Sequence, residues 1–154
     1  MTTRQLILED CQAVADLEKQ LFDGRFDAAG LRALLVKPAF YGAVLPAPDM
    51  PTTIHAYCLA YITSTQADLI AIGTDKTKQG RGFGQIILQH LIDVTEQHNV
   101  AEITLEVAAD NIAARRLYDS CGFHVSGIRK GYYHCGENRC DAVIMVRKRE
   151  SAFS

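Results

Sequence analysis

Gln79-Gly80-Arg81-Gly82-Phe83-Gly84 runs straight into an amphipathic stretch in which Ile87, Leu88, Leu91, Val94 and Thr95 share a face. Gln89, Asp93, Glu96 and Gln97 face elsewhere, so a helix is expected over Gly84–Asn99. A glycine-rich turn feeding a helix aims several backbone N–H groups at one point, and the helix dipole adds positive potential there. Glycines at 82 and 84 allow close backbone approach. Arg81 lies in the turn, and Lys76 and Lys78 lie just before it. The segment therefore suits phosphate groups, although an ordinary loop and helix start would read alike in isolation. A nicotinamide-binding turn requires G-x-G-x-x-G directly after a strand. Here Gln85 holds the third glycine position, and the polar stretch Thr74–Lys78 intervenes.

Downstream, Ala101–Val107 alternates: Ile103, Leu105 and Val107 point one way, Thr104 and Glu106 the other, as in a half-buried strand. Asp110 or Asn111 then caps a helix ending at Gly122. Phe123–Ile128 reads as a strand. Ala142–Val146 is a continuous apolar run suited to a strand covered on both faces, reached through the Gly136-Glu137-Asn138 turn. Upstream, Ala67–Thr74, Ile54–Thr63 and Phe40–Leu45 read as strands. Pro46, Pro48 and Pro51 mark a loop between the last two that is not expected to pair. Leu6–Leu8 reads as a short first strand. Asp10 caps a helix from Cys11 to about Leu21, with Val14, Leu17, Glu18 and Leu21 at partial helical spacing. Phe26–Val36 forms a second helix, with Ala29, Leu31, Leu34 and Leu35 apolar, ended by Pro38. Strands and helices interleave, so the class is α/β or α+β with a mixed sheet.

The chain has 154 residues, 48% hydrophobic and 22% charged, enough for one domain with its own core. A single domain over residues 1–150 with a tail at 151–154 is expected. The net charge of −2 gives no bulk reason for nucleic-acid binding. No apolar run approaches the roughly 20 residues of a membrane span. Met1-Thr2-Thr3-Arg4-Gln5 does not lead into a secretory h-region. The five cysteines, Cys11, Cys58, Cys121, Cys135 and Cys140, lack framework spacing, so reduced thiols and a cytoplasmic location are expected. His134, Cys135 and Cys140 lack a fourth ligand at suitable spacing, so no metal is expected. A Cys135–Cys140 disulfide is disfavoured on the same compartment argument. His90 and His98 are expected on the polar side of their helix without a function.

Three segments taken together resemble the GNAT superfamily of acetyl-CoA-dependent N-acetyltransferases. The turn fits Gln/Arg-x-x-Gly-x-Gly/Ala at Gln79, Gly82 and Gly84. Leu105-Glu106-Val107 follows one helix later. The stretch from Asn111 to Phe123 fits Asn-x-x-Ala-x-x-Leu-Tyr-x-x-x-Gly-Phe at Asn111, Ala114, Leu117, Tyr118, Gly122 and Phe123. Over about Ala67 to Lys148 the resemblance is closest to the RimI-like protein N-terminal acetyltransferases. It rests there on Leu105–Val107, a basic, paired-tyrosine loop at Arg129-Lys130-Gly131-Tyr132-Tyr133, and Asp141–Met145. Ala108 stands where those proteins carry arginine, the chain has no tryptophan, and Phe22-Asp23-Gly24-Arg25-Phe26 replaces their Phe-Pro-Trp-like element. The cofactor half thus matches more fully than the acceptor half.

The resemblance implies a mixed, mostly antiparallel sheet flanked by helices. Two parallel strands splay after Thr74 and near Glu106 to open an acetyl-CoA cleft. It implies transfer of acetyl from acetyl-CoA to a protein N-terminal α-amine, specifically the alanine of a ribosomal protein, by direct attack in a ternary complex. Coenzyme A phosphates would meet Gln79, Gly80, Arg81, Gly82, Phe83 and Gly84. Backbone groups of Ile72 and Thr74 would pair with pantetheine, with Asn111 and Ala114 alongside. Asn111 is equally a helix N-cap.

Glu106 is the candidate base, because a strand-end carboxylate can take the proton of an α-ammonium; the alternative is a solvated carboxylate. Tyr118 is the candidate acid, because a phenol can protonate a departing thiolate; the alternative is a packing tyrosine. Tyr132, Tyr133, Phe22 and Phe26 are candidates for the acceptor groove, with core packing as the competing reading for each. Two other functions stay open: acetylation of a small amine (polyamine, amino sugar, amino acid or drug), and a non-catalytic acetyl-CoA-binding module.

Overall fold

The structure, a computed structural model, describes residues 1–135 and 137–150, the side chains of 134 and 135 excepted. The elements in chain order are β1 (Arg4–Gln5), α1 (Cys11–Phe22), α2 (Ala28–Leu35), β2 (Phe40–Ala47), β3 (Met50–Ile62), β4 (Gln66–Thr74), α3 (Phe83–Gln97), β5 (Glu102–Ala108), α4 (Ile112–Ser120), β6 (His124–Cys135) and β7 (Asn138–Lys148). They build a seven-stranded sheet in the order β1-β2-β3-β4-β5-β7-β6. Every neighbouring pair is antiparallel except β4 and β5. The expected mixed, mostly antiparallel sheet flanked by helices is what forms.

Period-two alternation sorts the strands into two buried faces. Ala43, Leu45, Ala56, Cys58 and Ala60 pack with Phe83, Ile87, Leu88 and Leu91 of α3. The intervening Val44, Tyr57 and Leu59 pack with Cys11, Val14 and Leu17 of α1 and Leu31 of α2. Ile103, Leu105 and Val107 of β5 join the α3 side, which turns Glu106 to the opposite face. Ala142, Val143, Met145 and Val146 of β7 are all buried, as expected of a strand between β5 and β6.

β4 and β5 pair only from Gln66 to Asp68 with Glu102 to Thr104. The two strands therefore part after Asp68, earlier than the expected point at Thr74. The cause is visible in the β3–β4 register, which shifts between Leu59–Ala71 and Ala60–Leu69, leaving Ile70 as an extra residue on β4. Such a bulge bends its strand.

Several local expectations are corrected. The proline segment does pair: Pro46 lies opposite Ile54 and Ala47 opposite Met50, with register shifts on both sides of Pro46. Proline is tolerated at such irregularities, where a ladder hydrogen bond is already missing. The first strand is Arg4–Gln5 rather than Leu6–Leu8, and Leu8–Asp10 forms a 3₁₀ turn. The Asp10 carboxylate does not cap α1. It accepts from the Ile7 N–H at 2.9 Å and pairs with Arg4 at 2.7 Å, pinning the chain before the helix. The second helix begins at Ala28, because Asp27 caps it by accepting from the Gly30 N–H at 2.7 Å. Arg129–Tyr133 is not a loop but part of β6, irregular there, with Gly131 at φ 61°. His90 is half-buried, with Nδ1 2.7 Å from Thr3 Oγ1 and Nε2 2.7 Å from Tyr41 Oη. Cys140 is disulfide-bonded, against the expectation of reduced thiols: composition argues about surroundings, whereas the fold decides which sulfurs meet. The Cys135 side chain, the metal question at His134 and Cys135, Gly136 of the turn and the tail at 151–154 fall outside the described residues.

Candidate functional site

The parting of β4 from β5 leaves a cleft of about 700 Å³ that crosses the sheet. One wall is the far half of β4, including Ile72, Gly73 and Thr74; the other is Leu105–Ala108 of β5. The turn before α3 closes one end with Gln79, Gly80, Gly82, Phe83 and Gly84. Gly80 and Gly82 adopt φ of 79° and 80°, in the left-handed region that favours glycine. A Cβ on either would have nothing within 4 Å, so the backbone here faces open space. Gln79 braces the turn, its amide donating to the Thr74 carbonyl at 3.2 Å. Asp75 accepts from the Thr77 N–H at 2.9 Å, and that bond holds its carboxyl below the ordinary range. Lys76 lines the cleft, whereas Arg81 is exposed and does not.

α4 covers the other flank. Asn111 is its N-cap, Oδ1 accepting from the Ala114 N–H at 3.2 Å, and both residues line the cleft. Gly122 ends the helix at φ 89°. Tyr118 is buried at 5% exposure against Phe123, with ring centroids 5.9 Å apart, yet its side chain reaches the cleft. Burial pushes its hydroxyl up to about 12, opposed by the Arg25 charge.

Glu106 lies opposite, on the α1–α2 face of β5, and is exposed to the cleft. Its carboxylate pairs with Arg129 of β6 at 3.1 Å. The Arg129 guanidinium also sits 5.5 Å from the centroid of the Tyr132 ring. Tyr133 lines the cleft; burial, then the Glu106 charge, push its hydroxyl up. Tyr132 is 53% exposed and points outside, edge-on to Tyr133 at 5.2 Å. Phe22 lines the cleft, but Phe26 packs into the α1–α2 core instead.

The candidates thus divide. Ile72, Thr74, Gln79, Gly80, Gly82, Phe83, Gly84, Glu106, Asn111, Ala114, Tyr118, Phe22 and Tyr133 meet in one cleft; Arg81, Phe26 and Tyr132 stand outside its lining. Sequence reasoning gave no site role to Arg25, Glu18, Tyr57 or Arg129. Glu18 carried a readable signal, a carboxylate on the apolar stripe of α1, which cannot stay there without a buried partner.

The profile of the acetyltransferase (GNAT) family matches residues 12–123. The [ribosomal protein bS18]-alanine N-acetyltransferase of Escherichia coli is 41% identical over 91 residues, 59% of this chain and 62% of that protein. The chain therefore spans less than two thirds of that relative in the match. The N-alpha-acetyltransferase RimI of Mycobacterium tuberculosis is 32% identical over 152 residues, 96% of this chain and 92% of that protein. A crystal structure of the ribosomal-protein-S18-alanine N-acetyltransferase from Escherichia coli superposes with a TM-score of 0.87 at 29% identity, covering 98% of this chain and 95% of that one.

Proposed function

Because this chain belongs to the acetyltransferase (GNAT) family, we propose that it transfers acetyl from acetyl-CoA to a protein N-terminal α-amine, with residues 1–150 as its single catalytic domain. The observation that carries this reading is the meeting of Glu106 and Tyr118 in the cleft that the glycine turn closes. The specific acceptor we infer is the N-terminal alanine of ribosomal protein bS18, supported by the name of the Escherichia coli relative; the name of the Mycobacterium tuberculosis relative supports the α-amine alone. On this reading the protein works in the cytoplasm.

The cleft suits coenzyme A: its end is lined by open-faced glycine backbone, and Lys76 adds positive charge beside it. The N–H groups of Gly80, Gly82 and Gly84 would hold the phosphates, with Arg81 contributing charge from the rim. Backbone groups of Ile72 and Thr74, with Asn111 and Ala114, would hold the pantetheine arm. Oδ1 of Asn111 is already committed to the helix cap, so its amide N–H groups are the part left for a ligand. When bound, acetyl-CoA supplies an activated acyl carbon.

An α-amine has a pKa near 8, so about a tenth is neutral at neutral pH. Glu106 takes the proton from the remainder, directly or through water. Arg129 fixes the carboxylate by ion pairing without closing it off, since the pair stays open to solvent. Tyr118 keeps its proton at Oη at neutral pH, as any phenol does, burial holds it more tightly still, and it serves as the general acid. No cysteine is among the described residues that line the cleft, which favours direct attack in a ternary complex.

The test supplies acetyl-CoA to a pool of free-N-terminal peptides, the same peptides N-blocked but lysine-bearing, and small amines, and reads acetylation by mass spectrometry. Label on free N-termini, highest for alanine, is the expected result. Label on small amines alone would move the chain to small-amine acetylation, and no label on any amine would leave an acetyl-CoA-binding module.

A further inference from the structure

α1 ends in two consecutive left-handed residues, Asp23 at φ 61° and Gly24 at φ 81°. The N–H groups of both donate to the Glu18 carbonyl, folding the chain back along the helix it has just left. That reversal brings Arg25 over Glu18. The Glu18 side chain is 0% exposed. It accepts from Arg25 Nε at 3.2 Å and Nη2 at 3.1 Å, and from the Tyr57 hydroxyl at 2.6 Å. The guanidinium carbon lies 4.2 Å from the Phe22 ring centroid, so one face of the group is covered as well. Arg25 is thus held at its edge and on its face, while its side chain stays 46% exposed. A guanidinium has five N–H donors; two reach Glu18, and the others have no hydrogen-bond partner among the described residues. Arg25 lines the same cleft as Glu106, Tyr118 and Tyr133.

A positioned donor with spare hydrogens beside the reacting amine calls for an oxygen on the acceptor. A peptide N-terminus has one: its first carbonyl oxygen lies about 3 Å from the α-nitrogen. A polyamine has none. Glu18 neutralises the arginine at close range, so the site presents donors without strong net repulsion of an incoming ammonium. Building on the N-terminal acetyltransferase reading above, we propose that Arg25 binds the first carbonyl oxygen of the acceptor and is the residue that separates peptide N-termini from simple amines.

The experiment measures kcat/KM of the intact protein on two acceptors. One is an alanine-headed peptide; the other is the same peptide with its first carbonyl reduced to a methylene. Three proteins are compared: the unaltered chain, Arg25→Met, and the double variant Glu18→Gln with Arg25→Met. The double variant removes the stranded carboxylate that Arg25→Met alone leaves buried. Comparing acceptor ratios between proteins cancels the intrinsic difference between the two amines. Arg25→Met is expected to lose about 10- to 100-fold on the carbonyl peptide, the scale of a hydrogen bond to a charged group, and little on the reduced one. The double variant is expected to regain the melting temperature but not the carbonyl preference. Equal losses on both acceptors, or recovery of the preference in the double variant, would make Arg25 merely structural and overturn the proposal. An unaltered chain inactive on both peptides but active on spermidine would instead sink the N-terminal reading, and with it this inference, before any variant is compared.

Discussion

Tyr118 has its ring packed against Phe123, and its hydroxyl makes no hydrogen bond among the described residues. Tyr118→Phe should therefore leave the fold intact while lowering kcat by about 100-fold or more, the usual scale for a lost general acid, with the KM for acetyl-CoA nearly unchanged. The pH profile gives a second check. Burial raises this hydroxyl from 10.0 to about 12, so the acid form persists beyond the ordinary tyrosine range. The pH profile of the folded enzyme should therefore show no descending limb at the ordinary tyrosine value near pH 10. Glu106 was legible because alternation along β5 turned it away from Ile103, Leu105 and Val107. Arg25 was not, because its partner lies seven residues back and meets it only through the reversal at Asp23 and Gly24. Which of the four aromatics line the cleft was not legible for a related reason: nearby aromatics share composition, but the local backbone sends Phe22 and Tyr133 into the cleft and Phe26 and Tyr132 elsewhere.

The segment from Gln79 into α3 was legible almost to the residue, since turn glycines and a 3.6-residue apolar period act locally. Two kinds of glycine line the cleft, and they separate binding from stability. Gly82 has left-handed φ and open space around it. Gly82→Ala should cost about 1–2 kcal/mol of backbone strain there and raise the KM for acetyl-CoA, with only a few degrees lost in melting temperature. Gly73 has no such freedom: a Cβ would stand 2.7 Å from both Leu21 Cδ1 and Tyr57 Oη. Gly73→Ala should lower the melting temperature more, because it wedges α1 and the Glu18–Tyr57 contact off the sheet. Melting curves set beside acetyl-CoA titrations distinguish the two outcomes. The proline hairpin and the irregular part of β6 were less legible, because whether a bulge absorbs a proline or a glycine depends on the facing strand.

Across the whole molecule, the buried acids set an alkaline limit. Burial raises the Cys58 thiol from 9.0 to about 12 and Tyr118 from 10.0 to about 12. For each, the folded form holds its proton more tightly than the unfolded chain. Their stabilising contribution is complete below the unfolded values and is lost as pH rises toward 12, at up to about 1.4 kcal/mol per pH unit for each group. Melting temperature should hold steady to about pH 9 and then fall. Cys58→Ala should flatten the first part of that fall, as followed by circular dichroism. The two-faced sheet was legible from alternation alone. The opening point of the cleft was not, because it depends on where a bulge at Ile70 breaks a non-local parallel ladder.

That early parting has a further consequence. A sheet has two outer edges, here β1 and β6, and each must be kept from pairing with foreign strands. Beyond Asp68, β4 offers a third edge, inside the molecule and facing β5 across a gap. Glycine turn, α4 and β5 screen it from any strand arriving with side chains and neighbours of its own. A single chain end that brings no neighbouring strands can reach it where a strand of a folded sheet cannot. The edge can thus stay bare without inviting aggregation, and the architecture acts as a sieve by thickness before any residue reads chemistry.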